Sequence, residues 1–258
     1  MGFHVGAFFI PYYGFFIALG VCAAALCGYV QVKLFHLDVN DFAIIASLVG
    51  LGGIVGAKIL YLVVSWRQID ISRLLDWEYL NSIMVGGFVF YGGLLGGLFC
   101  LFLCARIWKL PVFRYVNVCM PCIPIVHGFG RIGCSLVGCC YGAAYEGPFA
   151  QVYENSFFAP NHVSLFPVQR TEALANLIIA AILLLYIDTQ RSRRKSSLSI
   201  YLLLYAPVRF GLEYYRSDSR GALGSFSTSQ WISIVLFLAA LIYCGMNNRR
   251  DRTTGDIS

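Results

Sequence analysis

Charge is what this sequence has least of. Of its 258 residues only 12% are Asp, Glu, Lys or Arg, whereas 59% are hydrophobic and the mean hydropathy is +0.71. Soluble domains carry about 25% charged residues, so an ordinary soluble domain is excluded and a polytopic, all-α membrane protein is indicated. A basic leader is missing too, since the first charged residue is Lys33. The opening apolar stretch is therefore expected to remain as a membrane span and not to be a cleaved signal peptide. No nucleotide loop, haem motif or carboxylate metal box stands out, so no cofactor is expected. Acids number 13 against 19 Lys and Arg, a formal net charge of +6. That excess is accounted for by membrane orientation, and nucleic acid is not expected as a partner.

Long apolar runs are abundant. A spanning helix needs about 20 mostly apolar residues. Seven runs qualify approximately, at 11–34, 42–65, 83–107, 112–129, 172–187, 198–215 and 229–246, forming a single integral membrane domain over 1–258. One set of loops then holds Lys33, then Arg106, Lys109 and Arg114, then Arg191, Arg193, Arg194 and Lys195, then Arg249, Arg250 and Arg252. The opposite loops hold Arg67 and Arg73 beside Asp70, Asp76 and Glu78. The positive-inside rule makes the first set cytoplasmic, with the N-terminus outside and the C-terminus inside. The Arg191–Lys195 cluster reads as a solvated stop in contact with anionic lipid. The segment 143–165 is too polar to span and is expected outside.

Some polar residues sit where apolar ones are expected. The stretch from His127 to Gly142 follows an apolar run and contains five glycines, one arginine, one histidine and three cysteines. Dense glycine permits tight turns and close approach to a ligand or helix. Arg131 lies in or beside membrane-depth sequence, where a charge is a functional candidate. The plain alternative is a packing segment whose arginine pairs with an acid. In the second run Gly50, Gly52, Gly53, Gly56 and Ala57 form a small-residue stripe for close helix packing. Lys58 follows, and snorkelling outward is its expected behaviour. In the sixth run Tyr205, Arg209, Glu213 and Arg216 share one helix face, which must look into the protein. An internal Arg209–Glu213 pair explains part of that face without any substrate.

These residues reach a resemblance. Gly130-Arg131-Ile132-Gly133-Cys134-Ser135-Leu136-Val137-Gly138-Cys139-Cys140-Tyr141-Gly142 resembles the signature Gly-Arg-x-Gly-Asn-Phe-x-Asn-x-Glu-x-x-Gly of the prolipoprotein diacylglyceryl transferases. Further pieces follow in family order: Tyr13-Gly14, Gly56-Ala57-Lys58, the glycine-rich 87–93, Pro167-Val168-Gln169 with Glu172, Tyr205 to Glu213 as Tyr-x-x-x-Arg-x-x-x-Glu, and Ser227 to Gln230. The resemblance covers nearly the whole chain. The sequence departs from it at Cys134 and Val137 for asparagines, Cys139 for glutamate, Tyr91 for the histidine of the third run, and Thr171 for tyrosine.

The resemblance implies transfer of diacylglyceryl from phosphatidylglycerol to the lipobox cysteine of a preprolipoprotein, in the bacterial plasma membrane, with glycerol-1-phosphate released. It implies that Arg131 and Arg209 are catalytic, and that Tyr13, Gly133, Gly142, Gln169, Glu172, Tyr205, Glu213 and Gln230 serve substrate binding. Arginine stays charged in a low-dielectric site and grips phosphate in a fork. Tyr91 is a poor base for a thiol, because its ordinary pKa near 10 lies above the thiol's near 8.5, and is expected to donate a hydrogen bond instead. His127, four residues before Arg131, is the candidate general base, or else a histidine bonded within a helix interface.

The ten cysteines supply the rival readings. Cys119-Met-Pro-Cys122 is a C-x-x-C, and with Cys134, Cys139 and Cys140 it could serve a membrane thiol-disulfide oxidoreductase. A zinc site from Cys134, Cys139, Cys140 and His127 has no standard ligand spacing, and no metal is expected. A disulfide joining one of these three to Cys119 or Cys122 is expected, with connectivity left open. A non-catalytic paralogue that binds lipid or signal peptides is the third reading.

Overall fold

The computed structural model describes residues 1–6, 8–189, 196–217, 222–223 and 225–255. The basic cluster at Arg191, Arg193, Arg194 and Lys195, and Arg220, lie outside the described residues. A hairpin of β1 (Gly2–Val5) and β2 (Phe8–Pro11) precedes α1 (Tyr12–Leu34). Then come α2 (Val39–Val64), two short 3-10 turns, α3 (Trp77–Val85), α4 (Phe90–Arg106), α5 (Val112–Val118) and α6 (Cys122–Val137). A small hairpin of β3 (Gln151–Val152) and β4 (Ser164–Leu165) leads into α7 (Val168–Thr189) and α8 (Ser197–Glu213). The hairpin of β5 (Ala222–Leu223) and β6 (Phe226–Ser227) precedes α9 (Thr228–Gly255).

The chain is mostly helical, as expected, with four or five candidate membrane spans where the apolar runs gave seven. Among the described residues four helices are long and apolar enough to cross a membrane: α1, α2, α7 and the 228–246 part of α9. The α5–α6 pair makes a fifth if its two halves, bent by 52°, form one span. The expected span 83–107 is interrupted at Gly86-Gly87, where Gly87 takes a left-handed φ of 42°, and only the 17 residues of α4 continue. The expected span 112–129 breaks before Pro121, which has no N–H to continue a helix and disfavours helical geometry in its predecessor. Tight bonds from Cys122 N to Cys119 O and Ile123 N to Met120 O turn the chain there, and α6 runs on to Val137.

Residue contacts divide the chain into two compact units, residues 32–115 and residues 1–31 with 116–258. In the 32–115 unit α2 packs on α4 through glycines. A Cβ added at Gly52 or Gly56 would strike the Gly92–Gly96 backbone, and the reverse also holds. This is small-xxx-small packing, in which backbones approach without side chains between them. Lys58 does not snorkel. Its Nζ donates to the carbonyls of Ile83 at 2.6 Å, Gly86 at 2.5 Å and Gly87 at 3.4 Å, and it lies over the Tyr61 and Phe88 rings. The end of α3 and the glycine turn offer carbonyls that no helix bond uses, and the part-buried ammonium satisfies them. Asp76 caps α3 by accepting from Glu78 N and Tyr79 N, and the Arg73 guanidinium beside it holds its carboxyl below the usual range.

In the other unit α6 is enclosed through its own glycines. Gly20 of α1 lies against Phe129, Gly133 packs on Tyr13 and Phe16, and Gly128 packs on Ala173 and Leu177 of α7. Met120, Ile179, Leu183 and Tyr201 form a buried apolar cluster where α7 and α8 meet. The segment 143–165 is folded. Tyr153, Ala159 and Leu165 bury together against Tyr141, and β3 pairs with β4. Its polar side chains close the end of α6: Gln151 Nε2 donates to Ser135 O at 2.6 Å, the Tyr153 hydroxyl to the same oxygen at 3.0 Å, and Ser156 Oγ to Val137 O at 2.9 Å. Burial pushes the Tyr153 phenol up to about 12, so it stays a donor.

Candidate functional site

The site is built on the middle of α6. His127 and Arg131 are one turn apart, so they present the same face. That face meets Glu172, whose side chain is 0% exposed in the second turn of α7. Arg131 Nε is 2.9 Å from Glu172 Oε2, and His127 Nε2 is 3.3 Å from Oε1. The Tyr205 hydroxyl donates to Oε1 at 3.4 Å, and its ring lies against the His127 imidazole. On α8, Arg209 Nη1 is 2.6 Å from Glu213 Oε2, while its Nη2 donates to Ser229 Oγ at 2.9 Å. Arg216, just past α8, places Nη1 3.9 Å from Glu172 and Nε 4.0 Å from Glu213.

Three guanidinium groups therefore share two carboxylates, all buried or nearly so. Among these described groups the guanidiniums outnumber the carboxylates, and little water screens them. Such an arrangement favours an anion, and planar forks favour phosphate oxygens in particular. The helix face expected from spacing is present from Tyr205 to Glu213 with its internal pair, and Arg216 joins it from just beyond the helix end. The fold adds Ser229 to it. Arg216 was visible in the spacing; Ser229 was not, because its partner comes from another helix.

Beside the arginines lies a loop of thiols. Gly138 ends α6 in a left-handed conformation with φ of 84°, and Cys140 is left-handed as well, with φ of 60°. The chain then pairs Gly142 with Arg216 in an antiparallel bridge, and Ala143 N donates to Tyr215 O at 2.8 Å. The Sγ atoms of Cys134, Cys139 and Cys140 all come within 4.8 Å of one another, a set able to hold a metal ion.

Several residues expected to bind substrate make structural contacts. Gln169 is buried and its amide donates to Cys139 O at 3.0 Å and to the Tyr153 hydroxyl at 3.3 Å, which fixes the thiol loop. Gln230 makes structural bonds too. Its Oε1 accepts from Ser227 N at 2.9 Å and its N–H donates to Ser227 Oγ at 3.2 Å, a capping box at the start of α9. Gly133 and Tyr13 are packing partners, with Tyr13 still half exposed. Gly142 allows backbone approach at the bridge. Tyr91 belongs to the 32–115 unit, exposed, with its ring 5.8 Å from that of Phe90.

The expected disulfide is also corrected. The described residues include all ten cysteines, and none is in a disulfide. Cys122 begins α6 and Cys134 lies 12 residues along it, about 18 Å at 1.5 Å per residue, whereas a bridge needs Cα atoms within about 7 Å. Cys122 instead places Sγ 3.2 Å from Ala24 O on α1.

Apolar spanning helices and a buried arginine cluster with excess positive charge define a multi-pass membrane protein equipped to hold an anionic group. The sequence matches the profile of the prolipoprotein diacylglyceryl transferases over residues 1–246, and the chain belongs to that family. It is 32% identical to the phosphatidylglycerol–prolipoprotein diacylglyceryl transferase 2 of Clostridium perfringens, over 93% of this chain and 92% of that one. It is also 32% identical to the phosphatidylglycerol–prolipoprotein diacylglyceryl transferase of Clostridium tetani, over 93% and 94% of the two chains. A Dehalococcoides mccartyi relative of the same name is 25% identical over 98% and 95%.

Proposed function

We propose that this protein transfers the diacylglyceryl group of phosphatidylglycerol to the lipobox cysteine of a prolipoprotein, in the bacterial plasma membrane. The observation that carries the reading is the cluster of Arg131, Arg209 and Arg216 gathered at Glu172 and Glu213. A lipid phosphate is the anion such a cluster suits within a membrane. The acceptor sulfur forms a C–S bond to the glyceryl carbon as the C–O bond to phosphate breaks. Glycerol-1-phosphate leaves with that electron pair, and the arginines offset the charge growing on its oxygen.

His127 is assigned the proton. Glu172 lies at its Nε2, which favours the tautomer with a proton there and leaves Nδ1 to accept one from the thiol. Glu213 orients Arg209 through the i,i+4 pair. Seven membrane passages with the N-terminus outside would put this chemistry where a secreted acceptor emerges, and the positive-inside charge distribution supports that orientation.

The test mixes purified protein with phosphatidylglycerol and a lipobox peptide and follows the peptide mass. A diacylglyceryl gain with glycerol-1-phosphate release is expected. No gain, with turnover of dithiols and quinone instead, would replace the transferase with the oxidoreductase reading.

A further inference from the structure

Cys134, Cys139 and Cys140 have an unpromising spacing, yet the fold assembles them. Their Sγ atoms lie within 4.8 Å of one another, with Cys134 buried and the other two partly open. The loop that gathers them is held from outside. Cys140 keeps a left-handed backbone despite its Cβ, a strain that persists only where the surroundings impose it. Gln169 anchors the Cys139 carbonyl, and the Gly142–Arg216 bridge fixes the exit. Tetrahedral zinc holds thiolates at about 2.3 Å, which places sulfurs about 3.8 Å apart, so the observed triangle needs to close by about 1 Å at most. No fourth His, Cys, Asp or Glu joins the group among the described residues. Four protein ligands mark a structural zinc site, whereas three with one open position mark a reactive one. The Arg216 side chain reaches Cys140, so a cation stands by to offset the negative charge of a tris-thiolate complex.

We infer that Cys134, Cys139 and Cys140 bind one thiophilic divalent ion, zinc in chemistry, whose open position receives the acceptor thiol as its thiolate. The identity of the acceptor rests on the function proposed above. The acceptor S–H displaces water from the ion and gives its proton to His127 Nδ1, the base assigned above, so that sulfur binds as the thiolate. The bound sulfur then attacks the glyceryl carbon with a lone pair, the C–O bond breaks, and its electron pair departs with the phosphate. The thioether product is a weak ligand and water replaces it, with no change in the oxidation state of the metal.

The probe is cobalt(II), titrated into the reduced, metal-free full-length protein in detergent. One equivalent should give intense sulfur-to-cobalt charge-transfer absorption that zinc bleaches. Cys139→Ser and Cys140→Ser should lose it, while Cys122→Ser, at the far end of α6, keeps it. Two half-open positions are used so that a misfolded variant of one does not decide the matter. A lipobox peptide should shift the cobalt visible bands, and a peptide with serine for its cysteine should not. Transfer activity should fall more than about tenfold on metal removal and return with one equivalent of zinc. Absence of the charge-transfer bands, their survival in both serine variants, or indifference to the peptide overturns the inference. Full transfer by metal-free protein overturns it too and leaves the transferase standing. Bands that respond to the peptide without any transfer support the metal site and instead refute the transferase.

Discussion

Glu172 is the carboxylate on which His127, Arg131 and Arg216 converge. Removing one partner of a buried ion pair leaves an uncompensated charge, which costs about 3–5 kcal/mol. Glu172→Gln is therefore expected to lower the thermal midpoint in detergent sharply and to abolish most transfer. A near-normal midpoint would mean that the cations do not depend on it. Arg131→Lys keeps the charge and loses the fork, so transfer should fall by more than about tenfold, or roughly 1.4 kcal/mol, in the peptide assay. Unchanged transfer would show that geometry at Arg131 is immaterial. If His127 takes the proton, His127→Gln should cut the rate about a hundredfold near neutrality and recover partly at high pH, where a thiol of ordinary pKa near 8.5 ionises unaided. A parallel, unshifted pH–rate profile would retire that role. Much of this was legible in the sequence, because spacing alone put Tyr205, Arg209, Glu213 and Arg216 on one face. The role of Gln230 was not. A glutamine three residues after a serine fits both a ligand motif and a capping box, and the bonds to Ser227 show that the box forms.

Among the elements, the end of α6 governs the site. Its last carbonyls are closed by Gln151, Tyr153 and Ser156, residues that pattern reading left in a polar loop. Local sequence could not reveal this, since each partner lies far along the chain from the carbonyl it serves. Gln151→Leu would strip one donor from a buried carbonyl, at a cost of about 1–3 kcal/mol. Faster alkylation of Cys139 and Cys140 in the native protein is the expected readout, and an unchanged rate would show that the loop stands without this brace. Helix positions were legible from apolar runs, but the interruptions at 86–89 and 119–121 were not. A glycine pair and a proline are each tolerated inside spans elsewhere, so neither dictates a break by itself. Lys58 was misread for a similar reason: the carbonyls that hold it belong to residues 83–87.

For the whole molecule, the distribution of Lys and Arg predicts that the C-terminus faces the cytoplasm. A green fluorescent protein fused after Ser258 should fluoresce, and alkaline phosphatase at the same place should be inactive; the opposite pair of results would invert the topology. The fold also imposes an order on manufacture. Arg209 carries its counter-charge one turn away in the same helix, so α8 can enter the bilayer already neutralised. Arg131 cannot. Its partner Glu172 belongs to α7 and leaves the ribosome later, by about a few seconds at typical synthesis rates. For that interval α6 is a helix with an orphaned cation, and a charge at membrane depth is costly. A chain halted between these two helices therefore carries Arg131 without the carboxylate that neutralises it in the finished fold.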